Sequence, residues 1–186
     1  MNAHQQATGS AYFIDTKKQE VETHTLAVIA ENQPGVLARI IGLFAGRGYN
    51  IDSLTVSETE HEKHVSRFTI VTTGTASVIA QIKAQLDRMV PVHSVADLTA
   101  DGNFLARELA MVKVKGEGDK RIEALRLGDA FRARVVDASV ESFVFELTGK
   151  PDKIDQFISL MMPLGLVEVS RTGVAAIARG GEVLKA

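Results

Sequence analysis

Two short stretches carry the residue types that could hold a ligand. Glu31-Asn32-Gln33-Pro34-Gly35-Val36-Leu37 lies where an apolar strand gives way to an amphipathic helix, and Gly48-Tyr49-Asn50-Ile51 follows that helix. The first N–H groups of a helix lack internal partners, and the aligned peptide dipoles place partial positive charge there. A carboxylate suits that environment. Gly35 has no Cβ to keep a ligand off the chain. Pro34 fixes its own φ and holds Gln33 extended. Asn32 offers both a donor and an acceptor, so it can meet either end of an amino acid, and Asn50 offers a second such group. Val36 or Ile51 supplies an apolar wall. The chemistry this predicts is capture of a small zwitterion. No side chain of the corner serves as nucleophile or base. The same residues also suit turn chemistry without a ligand, with Asn32 capping the helix, Gly35 permitting a tight turn and Gly48-Tyr49-Asn50 forming another.

Other signals fail on spacing. His61-Glu62-Lys63-His64 puts its histidines one residue short of the i, i+4 pair that a helical zinc site needs, and it falls in an expected loop. Thr148-Gly149-Lys150 lacks the upstream glycine of a phosphate loop and has Pro151 where Ser or Thr is required. Gly116-Glu117-Gly118 has no third glycine in place. No metal site is expected.

The 186 residues suffice for one ordinary domain or two small ones, and 45% apolar with 24% charged residues is a globular composition. A net charge of −2 gives no broad basic field, so nucleic acid is not an expected partner. The absence of Cys excludes disulfides and thiol chemistry. No apolar run approaches the roughly 18 residues needed to cross a bilayer. The first residues are polar with no secretory core, and residues 1–23 are expected to form a disordered tail. These features predict a cytoplasmic protein that does not contact a membrane.

The elements that must position the corner follow from periodicity. Leu26 to Ala30 read as a strand apolar on both faces, hence central. Val36/Leu37, Ile40/Ile41 and Phe44 share one helical face, and Gly48 suits a left-handed helix end. Strands are expected over 49–58 and 65–73 with the loop Thr59–His64 between them. A helix carrying Val78, Ile82, Leu86 and Met89 follows, then a strand over 90–98. The order βαββαβ then repeats with strand 107–114, helix 119–132, strands 134–139 and 142–148, a helix opened by Pro151 and blocked by Pro163, and a last strong strand over 166–170. The fold class is therefore α+β, with two tandem ferredoxin-like βαββαβ units. Asp101-Gly102-Asn103 marks the boundary, giving domains over 24–101 and 104–186. Each unit is small enough for a marginal core. The units are expected to lean on each other or on another subunit, because Ala27, Ile29 and Val71 make the first sheet's second face too apolar for water. The same topology can bind RNA through aromatics on its middle strands, yet these offer only Phe68 and the chain has no Trp.

The run from Leu26 to Val56, LAVIAENQPGVLARIIGLFAGRGYNIDSLTV, closely resembles the first ACT domain of the small, regulatory subunit of acetohydroxyacid synthase (acetolactate synthase). SRFTIVTTG at 66–74, RELAMVKV at 107–114 and LVEVSRTGV at 166–174 continue the resemblance over about residues 24–180. It implies a non-catalytic subunit that binds the large catalytic subunit, activates it and confers feedback inhibition by a branched-chain amino acid, usually valine. Thiamine diphosphate, Mg²⁺ and FAD would belong to the large subunit and no cofactor to this chain. The implied effector site lies between paired ACT domains of a homodimer or higher assembly. Asn32, Gly35, Val36 and Leu37 would come from one protomer and Asn50 and Ile51 from its mate. Pro34 stands where many relatives have an N–H, and Ala38 where Ser is frequent. The Thr59–His64 loop, Arg39, Arg47 and Arg67 are candidates for the surface facing the catalytic subunit. An alternative of another class is a free-standing amino-acid-sensing ACT protein that regulates transcription or another enzyme, though length and charge leave no room for a DNA-reading module. An enzyme in its own right is a third reading, and it requires that the isolated chain form acetolactate.

Overall fold

The computed structural model describes residues 20–181 except His61 and Lys63, together with Val183 and Leu184. Most of the tail expected over 1–23 lies outside the described residues. The described part contains two antiparallel sheets, each covered on one face by helices.

The first sheet is ordered β2-β3-β1-β4, with β1 (Val21–Glu31) and β3 (Val65–Thr75) central, β2 (Ser53–Glu60) and β4 (Val92–Asp97) at the edges. Residues His24 to Ala30 of β1 are all buried, as a strand covered on both faces must be. Leu26, Val28 and Ala30 face α1 (Val36–Ala45) and α2 (Ala76–Asp87), packing with Val36, Ile40, Phe44, Ile79, Ile82 and Leu86. The expected α1 stripe is divided. Val36, Ile40 and Phe44 enter the core, whereas Leu37 and Ile41 remain about two-fifths exposed. Strand β2 starts at Ser53 rather than residue 49, because Gly48 (φ +69°) and side-chain bonds at Asn50 and Asp52 hold the preceding residues in a turn.

Asp97 ends β4 and caps α3 (Leu98–Asp101), accepting from Thr99 N and Ala100 N at 3.1 Å, while its second oxygen meets His24 Nδ1 at 2.9 Å. Strand β5 (Phe104–Val114) follows after two intervening residues. Its first four residues pair with β9 (Ala175–Ala178), and Glu108 onward pairs with β7 (Phe143–Gly149) and β8 (Leu166–Arg171). With β6 (Arg134–Ala138) outermost beside β7, the second sheet repeats the first in the order β6-β7-β5-β8. Helices α4 (Asp119–Phe131) and α5 (Pro151–Met161) cover it around Phe145, Phe157, Ile154 and Met161.

Strand β9 extends the expected element list. It lies against the far face of the first sheet, where Val174 and Ala176 pack with Ala27 and Leu98, flanked by Val71, Phe104 and Ala106. The apolar face that predicted association is thus largely covered by the same chain. The two units lean on each other through this third cluster. No helix among the described residues is long and apolar enough to cross a membrane.

Candidate functional site

The α1 corner is built by the end of β1. Asn32 N donates to His64 O at 2.6 Å, anchoring the loop to the β2–β3 connection. Gly35 then takes φ +89° as the residue before the helix, a conformation that strains residues with a side chain. Val36 N donates to Gln33 O at 3.3 Å and Arg39 N to Gly35 O at 3.0 Å. The N–H groups of Leu37 and Ala38 are left without a backbone acceptor among the described residues. No side chain caps the helix, so Asn32 is not the cap, and the first turn holds no acid. Asn32, Gln33, Pro34 and Gly35 are exposed. The helix therefore presents its positive end to solvent uncompensated.

At the other end of α1, Tyr49 N donates to Phe44 O at 3.0 Å and the two rings meet edge to face. Asn50 O accepts from Thr72 Oγ1 and Asn50 Nδ2 donates to Asp52 Oδ1, both at 2.6 Å. Asp52 Oδ2 accepts from Thr73 Oγ1 at 2.7 Å. The Asn50 amide is thus oriented, with its Oδ1 outside these bonds. Asp52, which sequence reasoning passed over, is the orienting group, and the signal for it was the Asn-x-Asp spacing just ahead of a strand. Ile51 is half-buried against the first core.

These two ends do not meet within one chain. Ten helical residues separate them, a span of roughly 15 Å at 1.5 Å per residue. The structure places the candidate residues Asn32, Gly35, Val36 and Leu37 together at one end of α1 and Asn50 with Ile51 at the other. Between them lie exposed Leu37 and Ile41, and Val56 on edge strand β2 is similarly exposed. The large concavities lie elsewhere. A 650 Å³ cleft runs between the two units past Asp52, Glu108 and Arg171, and a 550 Å³ groove follows α2 above His24 and Asp97. None of the six candidate residues lines either one. In the cleft Arg171 bridges buried Glu108 and Asp155, and its hydrogen bond to Glu108 raises its pKa further.

The second unit has no counterpart to the open α1 end. Helix α4 follows Gly118 and carries Asp119 in its first turn, while α5 starts with Pro151 and carries Asp152. Among the described residues no group of three or more His, Asp or Glu could hold a metal ion. Arg67 is not a free surface cation, since its guanidinium donates to Ala176 O at 2.9 Å and burial lowers its pKa.

Comparison with known proteins separates the possibilities for this architecture. A family model described as an AHAS small subunit-like ACT domain matches residues 26–94, and one described as the small subunit of acetolactate synthase matches residues 107–180. A probable acetolactate synthase small subunit of Archaeoglobus fulgidus is 45% identical over 159 residues, covering 86% of this chain and 98% of that protein. The chain belongs to the acetolactate synthase small-subunit family. The small subunit of Mycolicibacterium smegmatis is 41% identical, over 85% of this chain and 92% of that protein. The crystal structure of the acetolactate synthase small subunit from Thermotoga maritima superimposes with a TM-score of 0.77 at 33% identity, covering 87% of this chain and 99% of that one. The match spans both units, so the two-sheet arrangement, and not the ACT unit alone, is the family's fold.

Proposed function

We propose that this chain is the non-catalytic subunit that activates the large catalytic subunit of acetolactate synthase and makes it sensitive to a branched-chain amino acid, valine first among them. In this reading residues 24–101 bind the effector and 104–186 form an ACT-related second domain. Thiamine diphosphate, Mg²⁺ and FAD reside on the catalytic partner. The carrying observation is the uncapped, acid-free N-terminus of α1 beyond left-handed Gly35, with Leu37 and Ala38 N–H groups turned outward.

A two-fold axis that sets α1 antiparallel to α1 of a second copy brings the Gly35–Leu37 end of one against the Asn50–Ile51 end of the other. That geometry also buries Leu37 and Ile41, and self-complementary contacts of this kind are the rule in homodimers. The effector carboxylate would meet the helix N–H groups, Asn32 and Asn50 Oδ1 its other polar end, and Val36 and Ile51 its side chain. Burying an isopropyl group contributes about 1.5 kcal/mol. An amide contact to a charged group contributes about 1.5–3 kcal/mol. Only the part of this energy that differs between the active and inhibited states becomes coupling, roughly 1–3 kcal/mol in typical cases.

The test is co-purification with the catalytic subunit followed by titration with valine, leucine and isoleucine. Higher activity than the catalytic subunit alone, suppressed by one of the three, is expected, together with no acetolactate from the isolated chain. A catalytic subunit that ignores this chain would overturn the reading.

A further inference from the structure

Strand β2 begins two residues after Ile51, and its side chains Ser53 and Thr55 are half-buried against the second unit. Ser53 Oγ accepts from Val174 N at 3.0 Å, and Thr55 Oγ1 donates to Val174 O at 2.7 Å. Both backbone groups of Val174 are therefore satisfied by hydroxyls of the first unit. Gly173 makes this approach possible. It has φ +81°, and a Cβ there would stand 2.8 Å from Ser53 Oγ and 3.1 Å from Thr55 Cγ2, closer than unstrained contacts allow.

The 172–178 segment is bound just as firmly on its other side. Thr172 N donates to Leu109 O, Leu109 N donates to Thr172 Oγ1, and Ala175 to Ala178 pair with the start of β5. On the corner side, Asn50 and Asp52 are joined through Asn50 Nδ2, and Asp52 N donates to Val71 O at 2.8 Å. Residues 50–55 thus form one hydrogen-bonded run, with the half-site at its head and the second unit's strap at its foot. The two hydroxyl bonds are short-range and lapse once donor and acceptor part beyond about 3.5 Å. A displacement of Asn50 and Ile51 that is passed along the chain to Ser53 and Thr55 would therefore be read at Val174 as a bond kept or lost, the discrete change that coupling requires.

We propose that Ser53 and Thr55, through Val174, are the positioning residues that carry effector occupancy at Asn50 and Ile51 into the second unit. The inference rests on the effector binding at that corner. It makes the second unit the reader of the signal and the first its receiver.

The test uses the full chain reassembled with the catalytic subunit, comparing the native chain with Ser53→Ala/Thr55→Val. Calorimetry gives valine binding, and acetolactate formation gives activation and inhibition. Binding and activation are expected to persist, while residual activity at saturating valine rises at least about five-fold, the low end of allosteric coupling. Thr55→Ser keeps the hydroxyl and should restore native inhibition, which a purely packing role for Thr55 would not give. If the double variant does not fold, Ser53→Ala alone supplies the same readings. Unchanged inhibition overturns the proposal, as does loss of binding or of activation in the variant. Failure of the underlying reading is a different result, namely no valine binding by the native chain.

Discussion

Helices α1 and α4 occupy the same place in the two repeats and meet it in different ways. Each follows a glycine with positive φ, Gly35 or Gly118, and neither has a side-chain cap. Helix α4 holds Asp119 in its first turn, so a carboxylate of the chain itself offsets the positive end. Helix α1 has no acid there, and its positive end faces solvent without an offsetting carboxylate in the first turn. Their flanks differ too. Helix α1 buries Val36, Ile40 and Phe44, whereas α4 buries only Ala124 and Gly128, and each leaves two large apolar side chains exposed, Leu37 and Ile41 on α1, Ile122 and Leu125 on α4. One repeated fold thus yields a helix end without an acid and one with a carboxylate of its own in the first turn.

The most damaging change to this contrast is Gly35→Asp, which puts a carboxylate at the N-cap of α1, one position before the place Asp119 takes in α4, and adds the strain of a side chain at φ +89°. Repulsion of the effector carboxylate should remove valine inhibition, raising the half-inhibitory concentration more than about 30-fold, or roughly 2 kcal/mol. Undiminished inhibition of the reconstituted enzyme would place the anion site elsewhere. Next in size are Asn32→Ala and Asn50→Ala, each expected to weaken inhibition by about 1.5–3 kcal/mol, or roughly 10–150-fold, with activation retained. If both titrate like the native chain, the half-sites do not combine. The smallest effect belongs to Asp119→Ala, which should leave valine response within about two-fold and lower thermal stability by about 0.3–1 kcal/mol. A valine response altered as strongly as by Asn32→Ala would show that the second repeat is receptive after all.

Much of the architecture was legible because apolar periodicity reports which residues want cover. Leu26 to Ala30 revealed a strand buried on both faces, and Pro151 marked the first turn of α5. Periodicity does not say what supplies the cover. Leu37 and Ile41 read as core with Ile40 and Phe44, yet they remain exposed, because the stripe is wider than the sheet beneath it. Ala27 and Val71 called for cover by the other unit or by another subunit, and the chain's own 174–178 segment packs there. That segment was missed because Ala-Ala-Ile-Ala has weak strand preference and is set by tertiary contact. The candidate site was legible by residue type at Asn32, Gly35 and Asn50. Its division between two protomers came from the resemblance and not from residue type, and in the structure the two groups sit at opposite ends of α1. The Asp52 carboxylate that orients Asn50 became evident only from the geometry.

Strand β5 has a mechanical meaning beyond topology. Four of its residues belong to a ladder lying on the first sheet, the remaining seven are the centre of the second, and only Gly102 and Asn103 precede it after α3. The two halves of the molecule are therefore joined through one paired strand in place of a free tether. A rotation of one layer against the other must bend that strand or open part of one of its ladders.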